Sequence, residues 1–276
     1  MPDADIAPFF RAADAALRAN DPTVKCTLVA ALDAGDIETA LAPATPWPEP
    51  IDIPGRPDKP RLISPLKVER RSTHTPGGRA ALIHALAHIE FNAINLALDA
   101  ICRFAHLPAD YYRDWLRVAQ EEARHFQLLQ THLDTLGFRY GDFDAHDGLW
   151  EMARKTAHDV LTRMALVPRV LEARGIDAMP AIVAKLKAAG DTRAVEILAV
   201  IERDEIEHVR IGNRWYRHFC EERGIDPHAT FARLLQDYNA PRVQPPFAEA
   251  ARLTAGFDRE DLEILQRFAA NKRRRD

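Results

Sequence analysis

Cysteine is scarce in this sequence, and its scarcity excludes several kinds of protein. Three cysteines occur in 276 residues, and none forms a CxxC pair. An odd, widely spaced set argues against a disulfide framework and against thiolate zinc or iron–sulfur sites of ordinary spacing. We therefore expect reduced thiols and a cytoplasmic location.

Other absences narrow the class further. The acidic start, "MPDADIAPFF", has no apolar signal core, and no run of about eighteen apolar residues occurs after it. We expect neither export nor a membrane span. Lys and Arg number 37 against 41 Asp and Glu, a net charge of −4, which argues against a nucleic-acid partner. No stretch shows the alternation of a β-strand.

Helical periodicity is what the sequence does contain, and it divides the chain into three regions. Residues 1–77 predict two short helices and a strap with eight prolines between Pro43 and Pro65, residues 78–222 predict a helical bundle, and residues 223–276 predict a wrapping extension with a helix near 258–271. The predicted fold is therefore all-α.

Four long helices are predicted within the central region. They cover about 78–104, 109–136 (stopped by Gly137), 148–174 (stopped by Gly175) and 191–222 (capped by Asp191), with a short helix after residue 178. Pro168 interrupts the third helix one turn before Glu172, so we expect an irregular backbone there.

Each long helix carries one glutamate on the stripe that should face an apolar core. These glutamates are Glu90, Glu122, Glu172 and Glu205. Two belong to a repeated phrase, acid-Glu-x-x-His, in "EEARHFQLL" and "DEIEHVRIG", which adds His125 and His208. Glu and His three residues apart project from one helix face and can bind a common ion.

Burial explains why these residues need a partner. An ionised carboxylate buried alone costs several kcal/mol, on the order of the whole stability of a domain. Four acids with two histidines cannot neutralise one another, whereas two divalent cations would. The glutamates repeat at 32 and 33 residues, which predicts two helical hairpins that each supply Glu and Glu-x-x-His.

These six positions carry a family resemblance. Residues 80–222 resemble the ferritin-like di-iron and di-manganese carboxylate proteins, whose four-helix bundle with a crossover connection binds two ions through this ligand set. "GDFDAHDGLWEMARKTAHDVLTRMALVPRVLEARGIDA" and "RDEIEHVRIGNRWY" are most similar to an uncharacterised bacterial ferritin-like family, described only as a domain of unknown function. The resemblance implies two iron ions, with manganese or a mixed pair as alternatives.

The acid before each Glu-x-x-His has a role by the same resemblance. Asp204 would orient His125 and Glu121 would orient His208, although an exposed helical acid is the alternative for Glu121. Glu202 and Trp115 are candidate pocket residues, with an arginine-paired acid and a core aromatic as the alternatives. His84 and His88 lie on the opposite side of the first helix from Glu90, so we assign them to hydrogen bonds rather than to metal.

Several functions stay open at this stage. The resemblance implies activation of dioxygen or peroxide by a non-haem di-iron oxidoreductase, and we favour an oxidase or hydroxylase of a small organic substrate with an unidentified electron donor. The alternatives are a ferroxidase or peroxide scavenger, a tRNA-modifying hydroxylase, and a non-catalytic helical module whose metals only stabilise the fold. The terminal extensions fit either a substrate-pocket wall or a homodimer interface.

Overall fold

Helices make up nearly all the regular structure of this protein. The computed structural model describes residues 6–42, 46–69 and 71–273. Across these ranges one β pairing is present, an isolated parallel bridge between Leu62 and Ala145. The predicted all-α class is confirmed.

The helices of the described ranges have unequal lengths, and three of them exceed twenty residues. Their bounds are α1 Pro8–Arg18, α2 Pro22–Ala30, α3 Ile37–Ala40, α4 Pro76–Arg103, α5 Ala109–Thr135, α6 Gly148–Lys155, α7 Val160–Leu166, α8 Ala173–Ala188, α9 Thr192–Glu222, α10 Pro227–Asp237, α11 Glu249–Thr254 and α12 Arg259–Arg273. Val167–Glu172 between α7 and α8 is π-helical.

Side-chain caps explain where several helices begin. Thr75 accepts a hydrogen bond from the backbone N–H of Gly78 at the start of α4. Asp159 and Asp226 cap α7 and α10 in the same manner. Asp191 accepts from the N–H of Ala194, which confirms the predicted cap of the fourth long helix. Each cap satisfies an N–H group that has no partner within its own helix.

The chain divides into two compact units. The first contains residues up to 150 together with 188–197, and the second contains residues 151–187 together with 198 onwards. In the first unit, α4 and α5 form a long hairpin; α1 packs against α4, and α2 packs against α5. In the second unit, α7 and α12 both pack against α10.

The proline-rich segment of the first unit is extended, as predicted. Pro43 lies outside the described residues, and residues 46–64 contain no helix. The indole N–H of Trp150 donates to the carbonyl oxygen of Asp52 at 2.8 Å, and Arg103 donates to that of Ile51 at 2.6 Å. Gly55 is required, because a Cβ there would lie 2.2 Å from the carbonyl oxygen of Arg18. The strap is therefore fixed to the body of its unit.

The predicted third helix is wrong in its extent. Instead of one helix over 148–174, α6 ends at Lys155, and α7 starts after its cap at Asp159. Gly175 does not stop the helix, because α8 continues through it and through Pro180 to Ala188. A glycine stop needs the left-handed conformation, which Gly137 and Gly190 adopt at φ 81° and 73° and Gly175 does not. The separate short helix predicted after residue 178 is part of α8.

One helix is apolar and long enough to cross a membrane by length and composition alone. Within the described ranges α4 is the candidate, and 78% of its most apolar window is buried inside the protein. Such burial is typical of the core helix of a soluble protein.

Candidate metal centre

Three predicted ligands meet inside the hairpin of α4 and α5. Glu90, Glu122 and His125 are 4%, 1% and 0% exposed. The Nδ1 atom of His125 lies 3.3 Å from Oε2 of Glu90 and 3.5 Å from Oε2 of Glu122. Each residue offers a ligand atom, and these atoms all lie within 4.8 Å of one another. We name these three residues the hairpin triad.

Helix periodicity places the hairpin triad. Glu90 shares its face of α4 with the fully buried Ile83 and Ile94, and Glu122 shares its face of α5 with the fully buried Phe126 and Leu129. His125 follows Glu122 by three residues, so both project from one side of α5. The sequence thus inserts two acids and an imidazole into a stripe that is otherwise apolar.

The pKa values of Glu90 and His125 in the hairpin triad are both raised above their ordinary values. Burial raises the pKa of Glu90, and the neighbouring charge of Glu122 raises it further. Burial acts to lower the pKa of His125, but the contacts with Glu122 and Glu90 and the charges of these two acids outweigh burial and raise the pKa. Both shifts mean that Glu90 and His125 bind protons more tightly than free side chains do when no cation is bound.

The donor atoms fit a transition metal ion. Oε2 of Glu90 is fully buried and accepts no hydrogen bond from the residues that the structure describes, although buried carboxylate oxygens almost always have a partner. Two carboxylates and one imidazole form an oxygen and nitrogen set that can hold a metal ion. The three cysteines are all buried, and burial raises their thiol pKa, so no thiolate competes.

The second unit holds the other three predicted ligands. On α9, Nδ1 of the fully buried His208 lies 3.5 Å from Oε1 of Glu205, whose side chain is 12% exposed. Glu172 is the last residue of the π-helical segment and is half-buried. The convergence of all six ligands around two ions stays a prediction from their spacing.

The backbone before Glu172 is irregular, as Pro168 predicted. Pro168 is the second residue of the π-helix. A π-helical turn holds one residue more than an α-helical turn, and such turns occur often at functional sites. On α9, a Cβ built on Gly212 would lie 2.3 Å from Cβ of Pro168, so only glycine permits this approach.

The acids before the two motifs have neighbours on their own helices. Arg117 donates to Glu121 at 3.1 Å, and Arg203 donates to Asp204 at 2.9 Å. Asp204 is nonetheless only 7% exposed, so it is more deeply buried than an acid on the surface usually is. Their predicted roles in orienting His208 and His125 stay predictions.

The two candidate pocket residues differ in burial. Trp115 is 2% exposed, and its indole N–H, on the face of α5 that carries Glu122, has no hydrogen-bond partner among the described residues. Glu202 is half-buried on α9. An indole N–H can only donate, so a buried one without an acceptor is a candidate contact for an oxygen-bearing ligand.

His84 and His88 make the hydrogen bonds between segments that we predicted. The N–H of Gly141 donates to Nε2 of His84 at 2.9 Å. His88 contacts the hydroxyl of Tyr140 through Nδ1 at 2.8 Å and the carbonyl oxygen of His146 through Nε2 at 3.1 Å. Burial lowers the pKa of both histidines to about 4, so they are neutral at pH 7.

A further acid and histidine cluster, which the sequence did not suggest, lies in the second unit. His228, Asp258 and Asp261 have ligand atoms within 4.8 Å of one another. Arg217 contacts Asp258 at 2.8 Å and Asp261 at 2.9 Å, so a guanidinium already balances the charge. This cluster is an ion-pair network that joins α9 to α12.

Comparison with known proteins identifies the family. The model of a family described as "Protein of unknown function (DUF455)" matches residues 18–263. An "Uncharacterized protein" of Haemophilus influenzae (strain ATCC 51907 / DSM 11121 / KW20 / Rd) is 45% identical over 276 residues, 94% of each chain. No solved structure matches. The chain therefore belongs to the family of unknown function, DUF455.

Proposed function

We propose that this protein is a non-haem di-iron carboxylate oxidoreductase, with manganese or a mixed pair as alternative metals, that uses dioxygen or peroxide to oxidise a small organic substrate. The hairpin triad carries the proposal, because it buries two carboxylates and an imidazole together among apolar side chains. Iron or manganese fits this donor set, whereas packing of the core without a bound cation would not require these acids.

A second ion is part of the proposal. The second unit repeats the chemistry of the hairpin triad, with Glu205 and His208 three residues apart on α9 and Glu172 on the π-helix. One Glu and one Glu-x-x-His from each hairpin give three protein ligands per ion. Three ligands leave open positions for substrate or oxidant, as catalytic metal sites require.

The protein's own groups would bind, orient and exclude water. Bound iron would supply one-electron chemistry with dioxygen or peroxide. Glu90 and Glu122 would bind the ion and balance its positive charge. Asp204 or Glu121 would fix the orientation of an imidazole. The apolar neighbours of the triad would keep bulk water away from a reactive centre. The indole N–H of Trp115 would donate a hydrogen bond to an oxygen atom of the substrate.

Metal reconstitution tests the proposal directly. Apoprotein is loaded anaerobically with Fe(II) or Mn(II), desalted and analysed for metal and protein. We expect about two ions per chain in the wild type, and loss of at least one of them in Glu122→Ala and His125→Gln. The matched control is His132→Gln, which removes a buried histidine of the same helix that pairs with Asp191 at 2.9 Å instead. Equal metal content in His125→Gln and the wild type contradicts the proposal.

Reaction with dioxygen separates the functional classes. The di-ferrous protein is mixed with oxygenated buffer and followed by visible absorption. A single turnover per site without added substrate supports the oxidase. Sustained oxidation of excess Fe(II) would instead indicate a ferroxidase. A centre that binds iron but does not react would indicate that the metals only stabilise the fold.

A further inference from the structure

The π-helical segment contains an arginine that is completely buried. Arg169 is 0% exposed and precedes Glu172 by three residues in the same segment. A buried guanidinium is costly unless its charge and its N–H groups are matched. The surroundings of Arg169 therefore indicate what this segment is fastened to.

Five side chains enclose Arg169, and we call them the arginine cage. Its guanidinium carbon lies 4.4 Å, 4.3 Å and 4.9 Å from the ring centroids of Tyr216, Phe231 and Phe257. Its nitrogen atoms donate to Asp261 at 2.6 Å and to Asn213. These contacts come from α9, α10, α12 and the turn before α12. The π-helix is thus attached to the C-terminal extension through one side chain.

Asp261 is itself held in place. Arg217 contacts it at 2.9 Å, and its Oδ2 accepts from the backbone N–H of Asp258. The carboxylate of Asp261 is therefore held in position by contacts that are independent of Arg169. The cage is a preorganised acceptor rather than a flexible surface pair, and it fits the planar fork of arginine better than a lysine.

A second contact fixes the π-helix against α9. The close approach of Pro168 to Gly212 places this segment against the turn of α9 that comes after His208. Because an α-helix advances about 100° per residue, loss of the extra π-helical residue would rotate the following side chains by about that angle. Glu172, at the end of the segment, would then face a different direction.

We propose that Arg169 is a positioning residue, which uses the arginine cage to hold the π-helical turn that presents Glu172 beside Glu205 and His208. The proposal rests on the proposed metal function of those three residues. It gives the extension of residues 223–276 a role at the metal site, since Phe231, Phe257 and Asp261 all belong to it.

The chain offers a matched control for this arginine. Arg252 is also 0% exposed, pairs with Asp177 at 2.6 Å, and lies 5.0 Å from the ring centroids of Phe247 and Phe257. It fastens α11 to α8 by donating to Asp177 and, at 3.2 Å, to the carbonyl oxygen of Ala173, the residue after Glu172. Lysine keeps an N–H donor for the carbonyl oxygen of Ala173 but loses the paired hydrogen bonds to Asp177. We therefore expect Arg252→Lys to lower stability to a similar degree without rotating the π-helical turn that carries Glu172.

The experiment is a Co(II) titration of apoprotein, followed by visible absorption and equilibrium dialysis. Wild type, Arg169→Lys, Asp261→Asn, Arg252→Lys, Glu172→Ala and Arg169→Lys/Glu172→Ala are compared, with thermal unfolding as the measure of the fold. We expect Arg169→Lys and Asp261→Asn to weaken one of two Co(II) sites by roughly tenfold or more and to alter its absorption band, as Glu172→Ala does.

Non-additivity is the decisive result. If Arg169 acts through Glu172, the Arg169→Lys/Glu172→Ala double variant should have the same Co(II) affinity and spectrum as Glu172→Ala alone. Arg252→Lys should have the Co(II) affinity and spectrum of the wild type. Wild-type Co(II) affinity and spectrum in Arg169→Lys would overturn the inference, as would equal losses in Arg252→Lys. A wild type that binds no Co(II) at all would instead contradict the proposed function.

Discussion

The ring of Pro168 occupies the space that a side chain at position 212 would need. A Cβ on Gly212 would lie 2.3 Å from Cβ and 2.5 Å from Cγ of Pro168, distances that real atoms do not adopt. A proline inside a helical segment and a glycine inside a long helix are each unfavourable alone. Here the glycine leaves the space that the proline ring fills. Together they let the π-helix and α9 approach closely within the second unit.

Replacing Gly212 by alanine should destabilise the protein. Overpacking against a rigid proline ring costs about 1–3 kcal/mol, which outweighs the gain of about 1 kcal/mol in helix propensity. The matched control is Gly175→Ala in α8, where a Cβ would meet nothing within 4 Å. Urea unfolding should show a loss of stability for Gly212→Ala and a gain for Gly175→Ala. A gain in both variants would mean that the contact with Pro168 relaxes freely.

The hairpin triad should lower the stability of the metal-free protein. Glu90→Gln keeps the shape of the side chain and removes a buried acid beside Glu122, so we expect the apoprotein to gain about 1–2 kcal/mol. Asp99→Asn on the same helix is the control, because Asp99 is buried but pairs with Arg103 at 2.8 Å. That change should cost about 2 kcal/mol.

The measurement for this pair is urea unfolding in the presence of a chelator. Opposite signs for the two neutralised acids would show that Glu90 is placed for binding and Asp99 for the fold. A loss of stability in Glu90→Gln as large as that in Asp99→Asn would mean that Glu90 has a structural partner, and would weaken the case for a metal.

Acid sensitivity should originate partly from His84. Burial, with a smaller contribution from neighbouring His88 and against the charge of Asp142, lowers the pKa of His84 from 6.5 to about 4. The unfolded chain takes up a proton below pH 6.5 and the native state does not until about pH 4, so stability is lost as the pH falls through this window. The loss is about 1.4 kcal/mol per pH unit.

His84→Gln tests this assignment, because glutamine can still accept the hydrogen bond from the N–H of Gly141. The variant should be less stable than the wild type at about pH 7, and the difference should shrink as the pH falls to about 5. Unfolding midpoints at several pH values measure it. A difference that stays constant with pH would show that His84 does not titrate in this window.

Helix periodicity alone is enough to locate the hairpin triad. The sequence predicts Glu90, Glu122 and His125 from their places on apolar stripes, and all three are buried together. The three side chains lie close together because α4 and α5 are long, regular and joined by a short connection, which favours a hairpin. Position along a regular helix determines which side chains meet.

The region around Glu172 shows where sequence reasoning fails. The sequence predicts a helix stop at Gly175, yet a glycine stops a helix only when it adopts the left-handed conformation, and that depends on the residues C-terminal to it. Gly190 takes this role at φ 73°. The arginine cage was not predicted either, because its members are spread from residue 213 to residue 261 and their approach depends on tertiary packing.

Crystals grown with iron or manganese, measured at the absorption edges of both metals, test the central claim most directly. We predict an anomalous peak roughly 2 Å from carboxylate oxygens of Glu90 and Glu122 and from Nδ1 of His125, with a second peak bound by Glu172, Glu205 and His208. A metal-soaked crystal with ordered Glu90, Glu122 and His125 side chains but no anomalous peak among them would contradict the account.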